Sequence, residues 1–241
     1  MIKRTPSLTG QVKAHIKQQI LNNAYEDDRV PPEMELANDL GVSRTTVRDA
    51  LSRLENEGVI YRKQGAGTFV NRPGLRIRSR LDEIWSYEAV LEAHGYEPST
   101  RVLDLSQQAA SASLAADLNL AEGEPILLVR KLFLENDQPV ILTCNYIPLV
   151  LLRGPLEKED FVVPVFTYLS DSAGQHLSYY LSEIVPVLAD GDLAKTLHIA
   201  APTAVLSLEE TGYNEENEPI LKAYSYFRDD LLRLGLIRRK V

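Results

Sequence analysis

VPPEMELANDLGVSRTTVRDALSRLENEGVIYRKQGAGTFV, residues 30–70, decides the fold of the first part of this chain. It reads as two short helices joined by a tight turn, then a strand, a basic glycine-containing tip and a second strand. Met34, Leu36, Ala37 and Leu40 recur at helical spacing and predict a helix over Glu33–Leu40. Gly41 ends it, because glycine adopts the left-handed C′ conformation at no steric cost. Ser43 is placed to cap a second helix running to about Glu57, with Val47, Leu51 and Leu54 on its inner face. Its first turns carry Arg44, Thr45, Thr46 and Arg48, so the start of this helix is polar and cationic. Gly58 stops it, and a Val59–Val70 hairpin follows as a wing with Arg62, Lys63 and Gln64 at the tip.

That pattern suits nucleic acid. Arg44 and Arg48 stand four apart and project from one helix face. An arginine forks onto the O6/N7 edge of guanine or bridges phosphates, and a good base pairing gives about 1–3 kcal/mol of discrimination. Thr45 and Thr46 suit phosphates or thymine methyls. Gly65 and Gly67 let the wing tip approach a minor groove, and they equally serve a tight hairpin.

With 241 residues there is room for two domains, each with its own core. The formal charge of −8 argues against nucleic acid only if it is uniform, and it is not. Residues 1–80 hold 14 Lys+Arg and 9 Asp+Glu (+5), which leaves 12 and 25 (−13) for residues 81–241. A basic module on an acidic partner domain is the reading of that asymmetry. The single cysteine, Cys144, excludes an internal disulfide and a cysteine-based zinc site, and suits a reducing cytoplasm. The four histidines show no pair at ligand spacing, so neither a metal nor a cofactor is expected. No run approaches the roughly 18 apolar residues of a membrane span, and no membrane partner is expected.

Upstream, TGQVKAHIKQQILN (9–22) sets Val12, Ile16 and Ile20 on one face of a supporting helix capped by Thr9. Lys13 and Lys17 lie outside it, on phosphate or simply in solvent. Downstream, NRPGLRIRSR (71–80) reads as an interdomain linker, along DNA backbone or exposed. Leu81–His94 predicts a helix burying Leu81, Ile84, Trp85 and Leu91 and closed by Gly95. Beyond Thr100, strands alternate with short helices, and the chain echoes itself. AADLNLAEGEPILLVRKLFLENDQPVILTCNYIP (115–148) returns as AKTLHIAAPTAVLSLEETGYNEENEPILKAYSYF (194–227). Leu118 matches Leu197 and Ile126 matches Val205, 79 apart; Pro139 matches Pro219 and Tyr146 matches Tyr226, 80 apart. Two helix-plus-hairpin units predict one antiparallel sheet with helices on a face, an α+β domain. Between the copies lie a short helix from about Val165 and a long strand, HLSYYLSEIVPVLA. Alternation puts Glu183 on the face of Leu177, Tyr179 and Leu181, where a buried carboxylate needs a partner or a ligand.

ELANDLGVSRTTVRDALSRLENEG and GAGTFV resemble the winged helix-turn-helix of GntR-family bacterial regulators almost without a gap. Pro32 stands where a small capping residue is usual, and Met34 where a phosphate-binding arginine is usual. Met34 thereby removes one backbone contact, which lowers affinity more than sequence preference. LSEIVPVLAD, the hairpin turns and the closing Y-S-Y-F-R-D-D make residues 81–241 similar to the UTRA effector-binding domain of HutC-type members. The resemblance implies a chorismate-lyase-like α+β fold, a small-metabolite ligand and a homodimer. It implies a DNA-binding domain at 1–71, a linker at 72–80 and an effector-binding and dimerisation domain at 81–241. In sugar-phosphate-binding relatives an R-x-R pair, a glutamate and a serine hold the ligand. Lys131 and Phe133, Thr143 and Pro164 occupy those positions here, which argues against a phosphorylated sugar.

The candidate DNA-binding residues are therefore Ser43, Arg44, Thr45, Thr46, Arg48, Lys63, Gln64, Gly65 and Gly67. The candidate effector-binding residues are Arg130, Lys131, Thr143, Asn145, Tyr146, Tyr168, Glu183 and Tyr226, with Arg130 either in the site or pairing with Glu183. Tyr146 and Tyr226 either line a central pocket or fill the core. The expected protein is a homodimeric repressor on a palindromic double-stranded DNA operator, modulated by a small polar effector. Two alternatives compete: an enzyme using the second domain, and a redox sensor using Cys144. No catalytic triad, metal set or close carboxylate pair favours the enzyme.

Overall fold

Val12, Ile16 and Ile20 form the buried stripe of α1 (Leu8–Leu21). Its cap is Ser7, whose hydroxyl accepts the Gly10 N–H at 3.2 Å, in place of the expected Thr9. The computed structural model describes residues 7–76, 81, 83–228, 230–232 and 234–237, and divides into two units: Met1–Arg80 with Gly235–Val241, and Leu81–Leu234.

In the first unit, α2 (Glu33–Leu40) enters from Pro32 without a side-chain cap and ends on Gly41 at φ +64°. After the turn Gly41–Ser43, α3 (Arg44–Asn56) buries Val47, Ala50, Leu51 and Leu54. Gly58, at φ +70°, turns the chain out of α3. A short strand β1 (Arg29–Val30) pairs with β3 (Gly67–Val70), which pairs with β2 (Ile60–Lys63), so the wing has three strands. The stripes of α1, α2 and α3 meet Val30, Val59, Ile60 and Val70 in one core. Met34 is 63% exposed, although helical spacing groups it with the buried Leu36 and Ala37.

The first half of the expected linker is fixed to this unit. Asn71 donates to the Gly58 carbonyl at 2.8 Å, and Leu75 packs against the core. Arg72 donates to Asn23 at 2.6 Å and grips Asp28, and its hydrogen bond to Asp28 lowers that carboxyl. Residues 77–80 lie outside the described residues.

In the second unit the expected Leu81–His94 helix shortens to α4 (Tyr87–Ala93). Ser86 starts it by accepting the Ala89 N–H at 3.1 Å, which leaves Ile84 exposed and Trp85 half-buried ahead of the helix. Asp82 lies outside the described residues. Then follow β4 (Pro98–Ala109), α5 (Ala112–Asp117), β5 (Pro125–Glu135) and β6 (Gln138–Pro148). After α6 (Val165–Ala173) the pattern repeats as β7 (Leu177–Ala189), α7 (Gly191–Thr196), β8 (Thr203–Asn214) and β9 (Pro219–Phe227). The repeat is one strand longer than the sequence echo, since β4 and β7 precede the matched helices. The six-stranded sheet runs β4-β5-β6-β9-β8-β7, so the two copies meet at their third strands. Asn136 and Asp137, both at positive φ, form the two-residue turn that joins β5 to β6 with the strands' own twist.

Three layers result. On one face α5 and α7 cover Ile126, Leu132, Leu142 and Val205. On the other α4 and α6 cover Leu127, Val129, Phe133, Ile141 and Phe227, with a gap between them. Leu51 is 1% exposed at the centre of the first core. Leu51→Ala should cost about 2–5 kcal/mol of that unit's stability, read as a lower urea midpoint at an unchanged slope.

Candidate nucleic-acid interface and a ligand-sized cavity

The turn between α2 and α3 aims the start of α3 outward. The Ser43 hydroxyl accepts the Thr46 N–H at 3.1 Å and lies 2.8 Å from the Thr46 hydroxyl, so both side chains belong to the cap. Arg44, Thr45 and Arg48 are exposed on the outer face. Arg44 meets Glu33 at 2.9 Å, an exposed pair that exchanges readily with water. Arg48 pairs with no carboxylate among the described residues, so its fork of donors faces solvent.

On the wing, Lys63 and Gln64 are exposed at the turn, with Gly65 at φ +74° and Gly67 at φ +122°. Arg62 differs from expectation: it turns back to Glu55 at 3.2 Å and Ser52 at 3.4 Å on α3, leaving Lys63 the cation of the tip. Arg29, unremarked in the sequence, donates to the Ala66 carbonyl at 3.2 Å beneath the turn. The extended Arg29–Val30 stretch before two prolines is the signal that could have found it. Lys13 and Lys17 both reach Glu57, at 2.7 and 3.5 Å, so an internal ion pair replaces the expected phosphate or solvent position.

The second unit contains a cavity of about 540 Å³ between the sheet and the segments around α4 and α6. Period-two alternation decides its floor. Lys131 and Phe133 of β5, Thr143 and Asn145 of β6, Ala223 and Ser225 of β9, and Glu210 of β8 all face it. Trp85, Tyr87, Phe166 and Tyr180 supply aromatic walls. Lys131 is 1% exposed, donates to the Val163 carbonyl at 2.8 Å and to Val162 at 3.4 Å, and lies 5.1 Å from the Phe133 ring centre. Asn145 donates to the Thr143 hydroxyl at 3.1 Å, and Tyr87 donates to Ser225 at 2.7 Å. Glu210 accepts from Ser182 at 2.5 Å, and burial raises its carboxyl against that bond.

Of the eight expected effector residues, Lys131, Thr143 and Asn145 line this cavity. The other five do not, for identifiable reasons. Arg130 points to the opposite face, as its place beside Lys131 on a strand requires, and meets Asp192 at 2.9 Å. Tyr146 and Tyr226 also face α5 and α7; Tyr146 packs edge-on against Tyr224, and burial raises the Tyr226 hydroxyl to about 12. Tyr168 packs at a tilt on Phe161, 4.2 Å between ring centres, in the core beneath α6. Glu183 is exposed: it lies on the face of β7 opposite Tyr180 and Ser182, which turn to the cavity, and stands opposite Glu209 with Arg130 engaged elsewhere. The carboxylate that the sheet itself sends into the cavity is Glu210. It lies 79 residues after Lys131, the spacing of the internal echo, which is the signal that would have found it.

Cys144 lies on the face of Arg130, and burial raises its thiol despite that guanidinium, which disfavours the reactive thiolate. Among the described residues no cluster could hold a metal ion, and no helix is long and apolar enough to cross a membrane.

Burial pushes the Lys131 ammonium down from 10.5 to about 8, with the Glu88 carboxylate partly opposing it. Between those values the unfolded chain binds more protons than the folded one, so this group makes the fold more stable as pH rises. Lys131→Met should therefore show less stability gained, or more lost, than the parent between about pH 8 and 10, as measured by urea midpoints across that range.

The comparisons with known proteins agree with this architecture. Residues 8–70 match the family described as bacterial regulatory proteins, gntR family, and residues 93–233 match the UTRA domain. The chain is 30% identical over 221 residues to the HTH-type transcriptional repressor NagR of Bacillus subtilis, covering 91% of this chain and 90% of that protein. It is 33% identical over 198 residues to a histidine utilization repressor of Pseudomonas putida, covering 80% and 76%. Among solved structures it resembles YydK of Bacillus subtilis with a TM-score of 0.79 at 18% identity, covering 96% of this chain and 99% of that one. It resembles PhnF of Mycobacterium smegmatis with a TM-score of 0.61 at 24% identity, covering 95% and 99%; both likenesses speak to fold alone. A capped helix-turn-helix with a wing, followed by a UTRA domain, makes this chain a member of the GntR family, HutC type: a DNA-binding transcription regulator and not an enzyme.

Proposed function

We propose that the protein is a cytoplasmic, effector-controlled repressor that binds a palindromic operator as a homodimer. The observation that carries the DNA reading is the capped start of α3, which offers Arg44, Thr45 and Arg48 to solvent beside Lys63 and Gln64 on the wing. Ser43 accepts the Thr46 N–H and holds that helix start, which leaves the Arg44 and Thr45 N–H groups as donors for a phosphate. Gly65 and Gly67 keep the wing tip narrow enough for a groove. Met34 is exposed where a phosphate-binding side chain would stand, and offers none. Relatives named as repressors support that sign of regulation.

The 540 Å³ cavity supports an effector site, with a floor of hydroxyl, amide and charged groups and aromatic walls. An effector there acts by binding one arrangement of the readers better than another. Edge strand β7 supports the dimer. Leu181, Ile184 and Leu188 are 63%, 53% and 61% exposed along it, an apolar edge that a lone chain leaves open to pairing. The raised thiol of Cys144 speaks against a redox trigger.

The decisive experiment is operator binding by purified variants. Arg48→Ala should weaken binding more than tenfold while far-ultraviolet circular dichroism stays unchanged, a loss of about 1.4–3 kcal/mol; near-parental affinity would refute the interface. Parental affinity should also fall steeply with salt, since each neutralised phosphate releases counterions. Ile184→Asp combined with Leu188→Asp should convert the dimer to a monomer in sedimentation and weaken operator binding. An intact dimer would place the interface elsewhere.

A further inference from the structure

Glu210 is a half-buried carboxylate in the wall of the cavity, and no cation among the described residues pairs with it. Among the described residues its hydrogen bond comes from the Ser182 hydroxyl, and no lysine, arginine or histidine reaches it. Tyr87 and Tyr180 flank it, and both hydroxyls are raised by burial with the Glu210 charge adding to the shift. A carboxylate taken out of water is costly unless an opposite charge or several donors meet it.

The cavity's own cation stands at the other end. Lys131 on β5 and Glu210 on β8 are three strands apart, about 14 Å between backbones at about 4.8 Å per strand. Two of the three Lys131 N–H donors already point at the Val162 and Val163 carbonyls, and Glu88 is the carboxylate whose charge it feels. Apart from Glu83, which has its own partner, the described lining carries Glu88 and Glu210 against Lys131, a formal 1 − 2 = −1. A phosphoryl group would meet one partly engaged ammonium and the carboxylates of Glu88 and Glu210.

We propose that the effector carries a cationic nitrogen, an alkylammonium or a guanidinium, seated on Glu210 and Ser182 with the Tyr87 and Tyr180 rings beside it. The internal duplication explains the polarity of the site. Equivalent positions of the two copies, 79 residues apart, hold a lysine and a glutamate, so the duplicated floor has one cationic and one anionic end. Backbone carbonyls occupy donors at the lysine end, and the glutamate end is left for the ligand. This inference rests on the reading that the cavity is the effector site.

The test uses the full-length protein and probe sets matched in shape but differing in charge. One set is glucosamine, glucose and glucose 6-phosphate; a second is putrescine, 1,4-butanediol and succinate; agmatine stands for the guanidinium. Thermal shift and operator release are read for each probe, on the parent and on Glu210→Gln, with Glu183→Gln as an exposed control. At least one amine or agmatine should stabilise the parent, the neutral and anionic members of its set should not, and Glu210→Gln should lose about tenfold in affinity, the scale of a charge-assisted pair. Glu183→Gln should bind as the parent does. Stabilisation by the phosphate or dicarboxylate, retention of amine binding in Glu210→Gln, or no shift from any cationic probe overturns the inference. An anion that binds and releases operator would overturn the cationic class while leaving the effector cavity standing. A Glu210-dependent amine that leaves operator affinity unchanged would support the class and refute the cavity's regulatory role.

Discussion

The second unit depends on the antiparallel pairing of β6 with β9, from Ile141 opposite Phe227 to Tyr146 opposite Lys222. Without it, each copy of the repeat is a three-stranded sheet with its third strand bare. Joining the copies there removes one open edge from each and builds a single six-stranded surface. The same pairing places Thr143, Asn145, Ala223 and Ser225 side by side in the cavity floor, flanked by Lys131 and Glu210. A slip of one residue would bring Cys144, Tyr146, Tyr224 and Tyr226 to that face and remove the site. The buried leucines, isoleucines and phenylalanines on both sides hold the register, since a slip would expose them.

The first unit is governed by shorter-range constraints. Its turn is made by Gly41 in the left-handed region and by Ser43 three residues before the N–H it caps. Its core is three helical stripes over a small sheet. The DNA-facing side is set by what remains once those stripes are buried, and by which cations find internal partners. Lys13, Lys17, Arg62 and Arg72 are tied to carboxylates within the unit, and Arg48 and Lys63 are left to solvent. Net positive charge thus overstates the number of cations available for nucleic acid.

The contrast bears on how regulation is divided. Reader geometry is local and stiff, built from segments close in sequence. The cavity draws residues from β5, β6, α6, β7, β8, β9 and the segment before α4, elements spread through the second unit. The exposed edge of β7 borders β8, the strand that carries Glu210, which gives the proposed effector site a short physical route to the proposed dimer edge.

Sequence alone determined whatever local physics decides. The helix-turn-helix with its stops at Gly41 and Gly58, α6 from Val165, the β7 strand, the two hairpins and the internal repeat all follow from periodicity, caps and turn residues within a few positions of one another. Lys131 and Thr143 were legible through the resemblance to the UTRA domain, and strand alternation puts both with Asn145 on one side of their own hairpin. The rest required the tertiary structure. Glu183 and Glu210 are both glutamates on strands with alternating neighbours, and only sheet order leaves one at an exposed edge and the other above the cavity. The partners of Lys13, Arg62 and Arg130 lie 44, 7 and 62 residues away in sequence, and no periodicity reports a contact between elements that far apart. Whether a charge is available for a ligand is a property of its neighbours in space, and the fold chooses those neighbours.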